Sequence, residues 1–127
     1  MSTSNMPKIV IDLDGTLTID NPEKGYLEKE PNLAVIEKLR EYASMGYEIV
    51  VFTARNMQTF GGDLQKITSI TLPDIVVWLD KHDVPHSQVL IGKPWCGTDG
   101  FYVDDKAVRP GEFIGKSTAE ILKIINS

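Results

Sequence analysis

The stretch KIVIDLDGTLT, residues 8–18, sets Asp12 and Asp14 two positions apart at the end of an apolar run, directly before Gly15. Asp-Gly is a good two-residue hairpin turn, so the segment can be read as half of an antiparallel pair. It can also be read as a strand that concentrates negative charge at its end. The two readings lead to different folds, and the rest of the chain separates them.

Two further apolar runs, EIVVFT at 48–53 and FYVDD at 101–105, read as strands beside IVID at 9–12, and QVLI at 88–91 is a weaker fourth. Continuous Val- and Ile-rich runs without strict alternation suit parallel strands covered by helices on both faces. Between the first two lies NLAVIEKLREYASMG. Asn32 can cap this helix, Val35, Ile36, Leu39, Tyr42 and Ala43 form its apolar stripe, and Gly46 stops it. A second helix is expected from about Leu72 to His82, with Pro73 in its first turn and Leu72, Ile75, Val76 and Leu79 facing inward. A third begins at Ser117, which has capping-box spacing to Glu120. Strands alternating with helices predict one α/β, Rossmann-like domain over residues 1–127, with a mostly parallel sheet flanked by helices, no cap domain, and residues 1–6 as a flexible tail.

Composition narrows the function classes. The 127 residues suffice for one domain with a real core. A net charge of −5 argues against a nucleic-acid surface, which needs a basic footprint. No apolar run approaches the roughly 18 residues of a membrane span, and MSTSNMPK is too polar for a signal peptide. Cys96 is the one cysteine, so an intrachain disulfide or cysteine-rich zinc site is excluded, and a reducing, cytoplasmic location is expected.

In open α/β sheets ligands bind at the carboxyl ends of the strands. Here those ends carry Asp12 and Asp14, then Thr53 and Arg55, then Asp104 and Asp105, with Lys93 after the weaker run. A hairpin at Asp14-Gly15 would leave the loading of the other strand ends unexplained. Four aspartates without histidine form a hard, oxygen-rich site suited to Mg²⁺, which takes one or two carboxylates plus phosphate oxygens and water. Lys93 and the Thr53 hydroxyl add donors for a phosphoryl group, whose transfer depends on positioning and charge stabilisation. One carboxylate can attack phosphorus, and the other, two residues on, can protonate the leaving oxygen and then activate water.

DLDGT, Thr53 after a second apolar strand, Lys93 and a final VDD together resemble the haloacid dehalogenase superfamily of aspartate-dependent phosphohydrolases, in order and over nearly the whole chain. TARN followed by IGKPWCGTDGFYVDDKAVRP is most similar to small bacterial phosphatases of capsular polysaccharide biosynthesis. The resemblance implies Asp12 as nucleophile and magnesium ligand, and Asp14 as general acid and base whose backbone carbonyl also meets the metal. It implies Thr53 and Lys93 as holders of the phosphoryl group, and Asp104 and Asp105 as metal ligands. An acidic residue at position 14 favours hydrolysis of a phosphomonoester over dehalogenation. One departure stands out: Gly92 to Gly100 is only nine residues, short for a parallel crossover of a dozen or more.

The expected substrate is a small phosphorylated metabolite, a sugar phosphate or polysaccharide precursor by the closer likeness. A polynucleotide or nucleotide phosphatase is the alternative, because YASMGYEIVV resembles the phosphatase domain of phage polynucleotide kinases. A phosphate- or metal-binding module without turnover is a third reading. Arg55 can bind substrate phosphate or pair with a carboxylate. Cys96, His82 and His86 have bland readings as a passive thiol and helix-end histidines, and Trp78 as packing. Segments 17–31 and 56–68 are the candidate substrate flaps. A capless subunit implies either an open site for a large substrate or a lid donated by a neighbour in a homo-oligomer.

Overall fold

The computed structural model describes residues 6–127, so the expected tail at 1–6 falls outside the described residues except for Met6, which is exposed. The chain divides into two compact units after Trp95. The first contains a three-stranded parallel sheet in the order β1 (Lys8–Ile11), β2 (Glu48–Phe52), β3 (Gln88–Leu90), flanked by helices. Ile9 lies opposite Ile49 and Ile11 opposite Val51, while Val51 faces Val89 and Phe52 faces Leu90. The run after Gly15 therefore does not return as a hairpin partner of β1.

The central strand has the composition of a strand covered on both faces, and Ile49, Val50 and Val51 are all buried. β1 departs from that expectation. It is an edge strand, and Val10 is 61% exposed while Ile11 is buried. The weak run at 88–91 is a regular parallel strand, joined to β2 by the longest helical connection in the unit.

Helix α1 (Leu33–Ser44) follows its sequence pattern closely. Asn32 accepts from the Val35 amide, and Val35, Ile36, Leu39 and Tyr42 are the buried face. Each such side chain stabilises the fold by roughly 1.5–3 kcal/mol through burial. Gly46 ends the helix at φ 99°, a conformation open to glycine and costly for other residues. The next helix starts at Leu72 as expected, but further helical turns precede it. Asp63 caps a turn, α2 (Leu64–Lys66), that passes through one wide turn over Ile67–Thr71 into α3 (Leu72–Lys81). Pro73 lies in the first turn of α3, as expected. The second half of the expected 56–68 flap is therefore helical. Ile75, Trp78 and Leu79 carry the burial on α3, whereas Leu72 and Val76 are only half-buried. Arg40 on α1 donates to the carbonyls of His82 and Asp83, tying the two helices at the negative end of α3.

The second unit, Cys96–Ser127, holds α4 (Pro110–Gly115) and α5 (Thr118–Ile125). Ser117 caps α5 as expected: its hydroxyl accepts from the Glu120 amide, and Glu120 accepts from the Ser117 amide. Phe101–Asp105 is not a strand, contrary to the sequence reading. Asp104 accepts from the Lys106 amide at 2.8 Å, folding the chain into a local turn. Phe101 and Val103 are 79% and 90% exposed, so the apolar character that suggested a strand is not spent on burial here. Among the described residues no helix is long and apolar enough to cross a membrane.

Candidate active site

Asp12 is the first residue past β1, and Thr53 the first past β2. Alternation continues beyond the strand: Leu13 is fully buried, while Asp12 and Asp14 on either side of it are half-buried. The carboxylates are thereby offered on the side away from the core. Gly15 at φ 81° then turns the chain, and its amide donates to the Thr18 hydroxyl. The Leu13 carbonyl collects the amides of Leu17 and Thr18, closing a single helical turn that fixes both aspartates. A Cβ at position 15 would sit 3.3 Å from Asp20 Oδ2, a close contact with the tip of an exposed side chain, so the positive φ is the main demand for glycine.

The end of β3 brings in the lysine. Leu90 accepts from the Thr53 amide, and Thr53 in turn accepts from the Lys93 amide, which pins Lys93 to the end of β2 despite the left-handed turn at Gly92. From there Lys93 Nζ lies 3.4 Å from Asp12 Oδ1, and the Thr16 hydroxyl donates to Asp12 Oδ2 at 3.1 Å. Each Asp12 oxygen has a partner. Thr53 is buried, and its hydroxyl accepts from the Arg55 amide at 3.0 Å. That bond orients Arg55 toward Asp14.

Arg55 pairs with a carboxylate, that of Asp14. Its Nε and Nη2 form a fork on Asp14 at 2.9 and 2.7 Å, and its side chain is only 1% exposed. Lys29 adds a second cation 3.3 Å from Asp14. Burial pushes the Asp14 carboxyl up, but the hydrogen bonds and charge of Arg55, aided by Lys29, outweigh it and hold the group below its ordinary value. The third Arg55 nitrogen, Nη1, is buried without a hydrogen-bond partner.

Residues 17–31 are fastened down over this ion pair. Thr18 bridges to Pro31, the Trp78 indole donates to the Lys29 carbonyl at 2.8 Å, and the Tyr26 ring lies 4.2 Å from the Arg55 guanidinium carbon. Asn56 donates to the Tyr26 hydroxyl and accepts from Thr71. Asn56 adopts φ 63°, which is uncommon outside glycine but better tolerated by asparagine than by most residues. Two cavities share Tyr26 as a wall. One of about 390 Å³ is bordered by Asp20, Lys24 and Lys29, the other of about 160 Å³ by Arg55, Phe60 and Asp74.

Asp12, Asp14, Thr53, Arg55 and Lys93 are thus linked through one network of contacts. Tyr26, Lys29 and Asn56 belong to it and carry no motif of their own; the only hint was that Asn56 follows Arg55 in TARN. Asp104 and Asp105 lie in the second unit and are exposed. Cys96 is an exposed free thiol. The His82 ring lies against Trp78, tilted 50° with centroids 4.5 Å apart, and His86 Nδ1 meets the Val84 carbonyl, both local contacts.

Among the described residues no three His, Cys, Asp or Glu side chains are gathered as a metal-holding group. Mg²⁺ needs no such cage, since it is bound through one or two carboxylates plus water and phosphate oxygens. The hard, partly exposed oxygens of Asp12 fit that requirement, whereas both carboxylate oxygens of Asp14 are already engaged by Arg55 and Lys29.

No family model and no curated protein matches the chain. The crystal structure of an MCSG target from Vibrio cholerae is 54% identical, covering 95% of this chain and 98% of that one, with a TM-score of 0.92. A chain from the Pnkp1/Rnl/Hen1 RNA repair complex is 22% identical over 69% of this chain and 26% of its own, with a TM-score of 0.51. Another from a Pnkp1/Rnl/Hen1 complex is 21% identical over 89% and 36%, also at 0.51. These last two likenesses speak to the fold.

Proposed function

We propose that this chain, which belongs to one family with the Vibrio cholerae protein, is a Mg²⁺-dependent phosphomonoester hydrolase of the haloacid dehalogenase type. The observation that carries the reading is the pairing of Lys93 with Asp12, 3.4 Å apart, beside an independently charge-compensated Asp14. A cation on the attacking carboxylate also neutralises the incoming phosphoryl oxygens. The hard oxygens and the DLDGT resemblance support the same conclusion.

In this mechanism an Asp12 oxygen attacks phosphorus, the bond from phosphorus to the leaving oxygen breaks, and Asp14 supplies the proton that the leaving oxygen takes. Water then attacks the aspartyl-phosphate, gives its proton to Asp14, and releases phosphate and free Asp12. Lys93 stabilises charge in both steps, with Thr53 beside it at the strand end. Mg²⁺, when bound, supplies charge neutralisation on the phosphoryl oxygens. Asp12 and the backbone carbonyl of Asp14 would hold it. Arg55 and Lys29 keep Asp14 ionised, which suits the water-activating step and burdens the protonating one. Esters with good leaving groups should therefore turn over faster than simple alkyl phosphates.

The substrate in this reading is a small phosphorylated metabolite of the sugar-phosphate class. A second reading, a polynucleotide or nucleotide phosphatase, draws on the fold likeness to chains of an RNA repair complex. The net charge of −5 weighs against it. Hydrolysis of an aryl phosphate with Mg²⁺ and with EDTA, alongside Asp12→Asn, tests the first reading. Activity that survives both chelation and substitution would sink it. Preferential cleavage of 3′-phosphorylated oligonucleotides over sugar phosphates would favour the second.

A further inference from the structure

Segment 17–31 is held firmly at its base and lightly at its tip. The Ile19 amide donates to the Glu30 carbonyl and the Asn32 amide to the Leu17 carbonyl, both at 2.8 Å, and these bonds close the base. Across residues 20–28 the hydrogen bonds stay inside the segment, with one exception among the described residues: Asn56 Nδ2 donates to the Tyr26 hydroxyl at 3.3 Å. The far side of that bond is built from unusual backbone. Asn56 holds φ 63°, and its Oδ1 accepts at 2.7 Å from Thr71, which is buried at the end of the wide turn over Ile67–Thr71. Left-handed residues other than glycine and wide helical turns are both uncommon, and both gather at functional sites. Here they meet on one side chain. The Thr71 bond fixes which way the Asn56 amide faces, so Nδ2 is presented to Tyr26.

What the bond holds in place is the ring. Tyr26 lies 4.2 Å from the Arg55 guanidinium carbon and 5.6 Å from Lys29 Nζ, and both cations are on Asp14. The two donors of the Arg55 fork lie in the guanidinium plane, so a ring on the face of that plane limits its tilt. Tyr26 is 41% exposed and belongs to a single short helical turn, Tyr26–Glu28. Burial alone does not fix a ring so placed, and its hydroxyl supplies the missing restraint.

We propose that Tyr26 is a positioning residue for the hydrolysis, latched by the Asn56 amide so that its ring keeps the Arg55 fork, and through it Asp14, aligned to take the proton of the attacking water. The inference rests on the hydrolase reading and gives the tip of segment 17–31 a role in it. Thr71 acts at one remove, by orienting the amide.

The test measures hydrolysis of an aryl phosphate with Mg²⁺ by wild type, Tyr26→Phe, Asn56→Gly and the double variant, with a urea midpoint for each. An aryl leaving group needs little protonation, so kcat leans on the water-activating step. Phenylalanine keeps the ring and loses the latch, whereas glycine accepts φ 63° without strain and removes the amide. Each single variant should lower kcat about fivefold, the kinetic equivalent of one ordinary hydrogen bond, with KM within about twofold. The double variant should be no slower than the slower single, because both delete the same bond. Tyr26→Leu, which removes the ring as well, should be slower than Tyr26→Phe by about a further two- to fivefold. Tyr26→Phe deletes a single oxygen at an exposed position and decides the question by itself where Asn56→Gly fails to fold. A merely structural tip would lower the urea midpoint, or speed amide exchange over residues 20–28, without changing kcat, and that result overturns the assignment. Single losses that multiply in the double variant, or a raised KM with kcat unchanged, overturn it too. If wild type does not hydrolyse the aryl phosphate, the hydrolase reading itself falls, and the inference with it.

Discussion

Arg55→Ala is the most informative single substitution, because the structure gives its cost in separable parts. It removes a two-point hydrogen bond to Asp14 at 2.9 and 2.7 Å from a side chain that is 1% exposed. Breaking a buried ion pair from one side typically costs about 3–5 kcal/mol. Asp14 is 28% exposed and keeps Lys29 at 3.3 Å, so this pair should fall at or below the lower end, about 2–3 kcal/mol. The guanidinium also lies 4.2 Å from the Tyr26 ring, and losing that contact adds roughly 0.5–1 kcal/mol. The sum is about 3 kcal/mol, a large part of the stability of a domain this size. Urea unfolding followed by fluorescence suits the measurement, since Trp78 is buried in the same unit and should report its melting. The midpoint should drop with little change in slope. Arg55→Lys keeps the charge but loses the fork, and should recover about half of the loss. A double-mutant cycle with Asp14→Ala should give a coupling of at least about 1.5 kcal/mol. A total cost below about 1 kcal/mol, or a coupling near zero, would refute the view that the fork organises the site.

Acidification should weaken the fold through Asp14. Its folded value lies below the ordinary value of 3.8, so its contribution is fully present above that value and is lost as pH falls through the lower, folded one. Urea midpoints measured between neutral pH and pH 3 should show this loss, and Asp14→Asn should flatten that part of the profile. Gly15→Ala forces a side chain into φ 81° against Asp20 and should cost about 1–2 kcal/mol in the same assay, with reduced turnover. Trp78→Phe drops the hydrogen bond to Lys29 and leaves part of a fully buried ring's volume empty; a loss of about 2–3 kcal/mol is expected, with faster amide exchange extending over residues 17–31. Lys93→Met should lower kcat for aryl phosphate by 100-fold or more, on the order expected for loss of a charge stabiliser, without lowering the urea midpoint by more than about 1 kcal/mol equivalent.

The α/β order and the sites of Asp12, Thr53 and Lys93 were legible because each follows from a strong local signal. An apolar strand, its first polar successor and a following glycine can be seen in a few residues. Asn32, Gly46 and the Ser117–Glu120 box marked helix ends for the same reason: capping chemistry is local. The α3 helix starts at Leu72 as Pro73 in its first turn signalled, but the wide turn over Ile67–Thr71 that precedes it has no such local marker. FYVDD read as a strand because composition alone reports affinity for a pleated, half-buried surface. It does not report whether a ladder partner is present, and Asp104 instead caps a turn. Tyr26 and Lys29 were invisible as site residues because their role depends on where residues 17–31 fold back, a tertiary fact held by the Trp78 indole and the Thr18–Pro31 bridge. Arg55 could be placed at a strand end but not assigned a partner, since Asp14 lies 41 residues away in sequence.

The central claim is covalent: Asp12 carries the phosphoryl group during turnover. Acid quenching of the protein during steady hydrolysis of an aryl phosphate, followed by mass spectrometry of the Asp12 peptide, tests it directly. The account predicts a phosphorylated Asp12 that is removed by hydroxylamine and absent from Asp12→Asn. Sustained Mg²⁺-dependent turnover with no phosphoryl group on Asp12, or with one on a different residue, would contradict it.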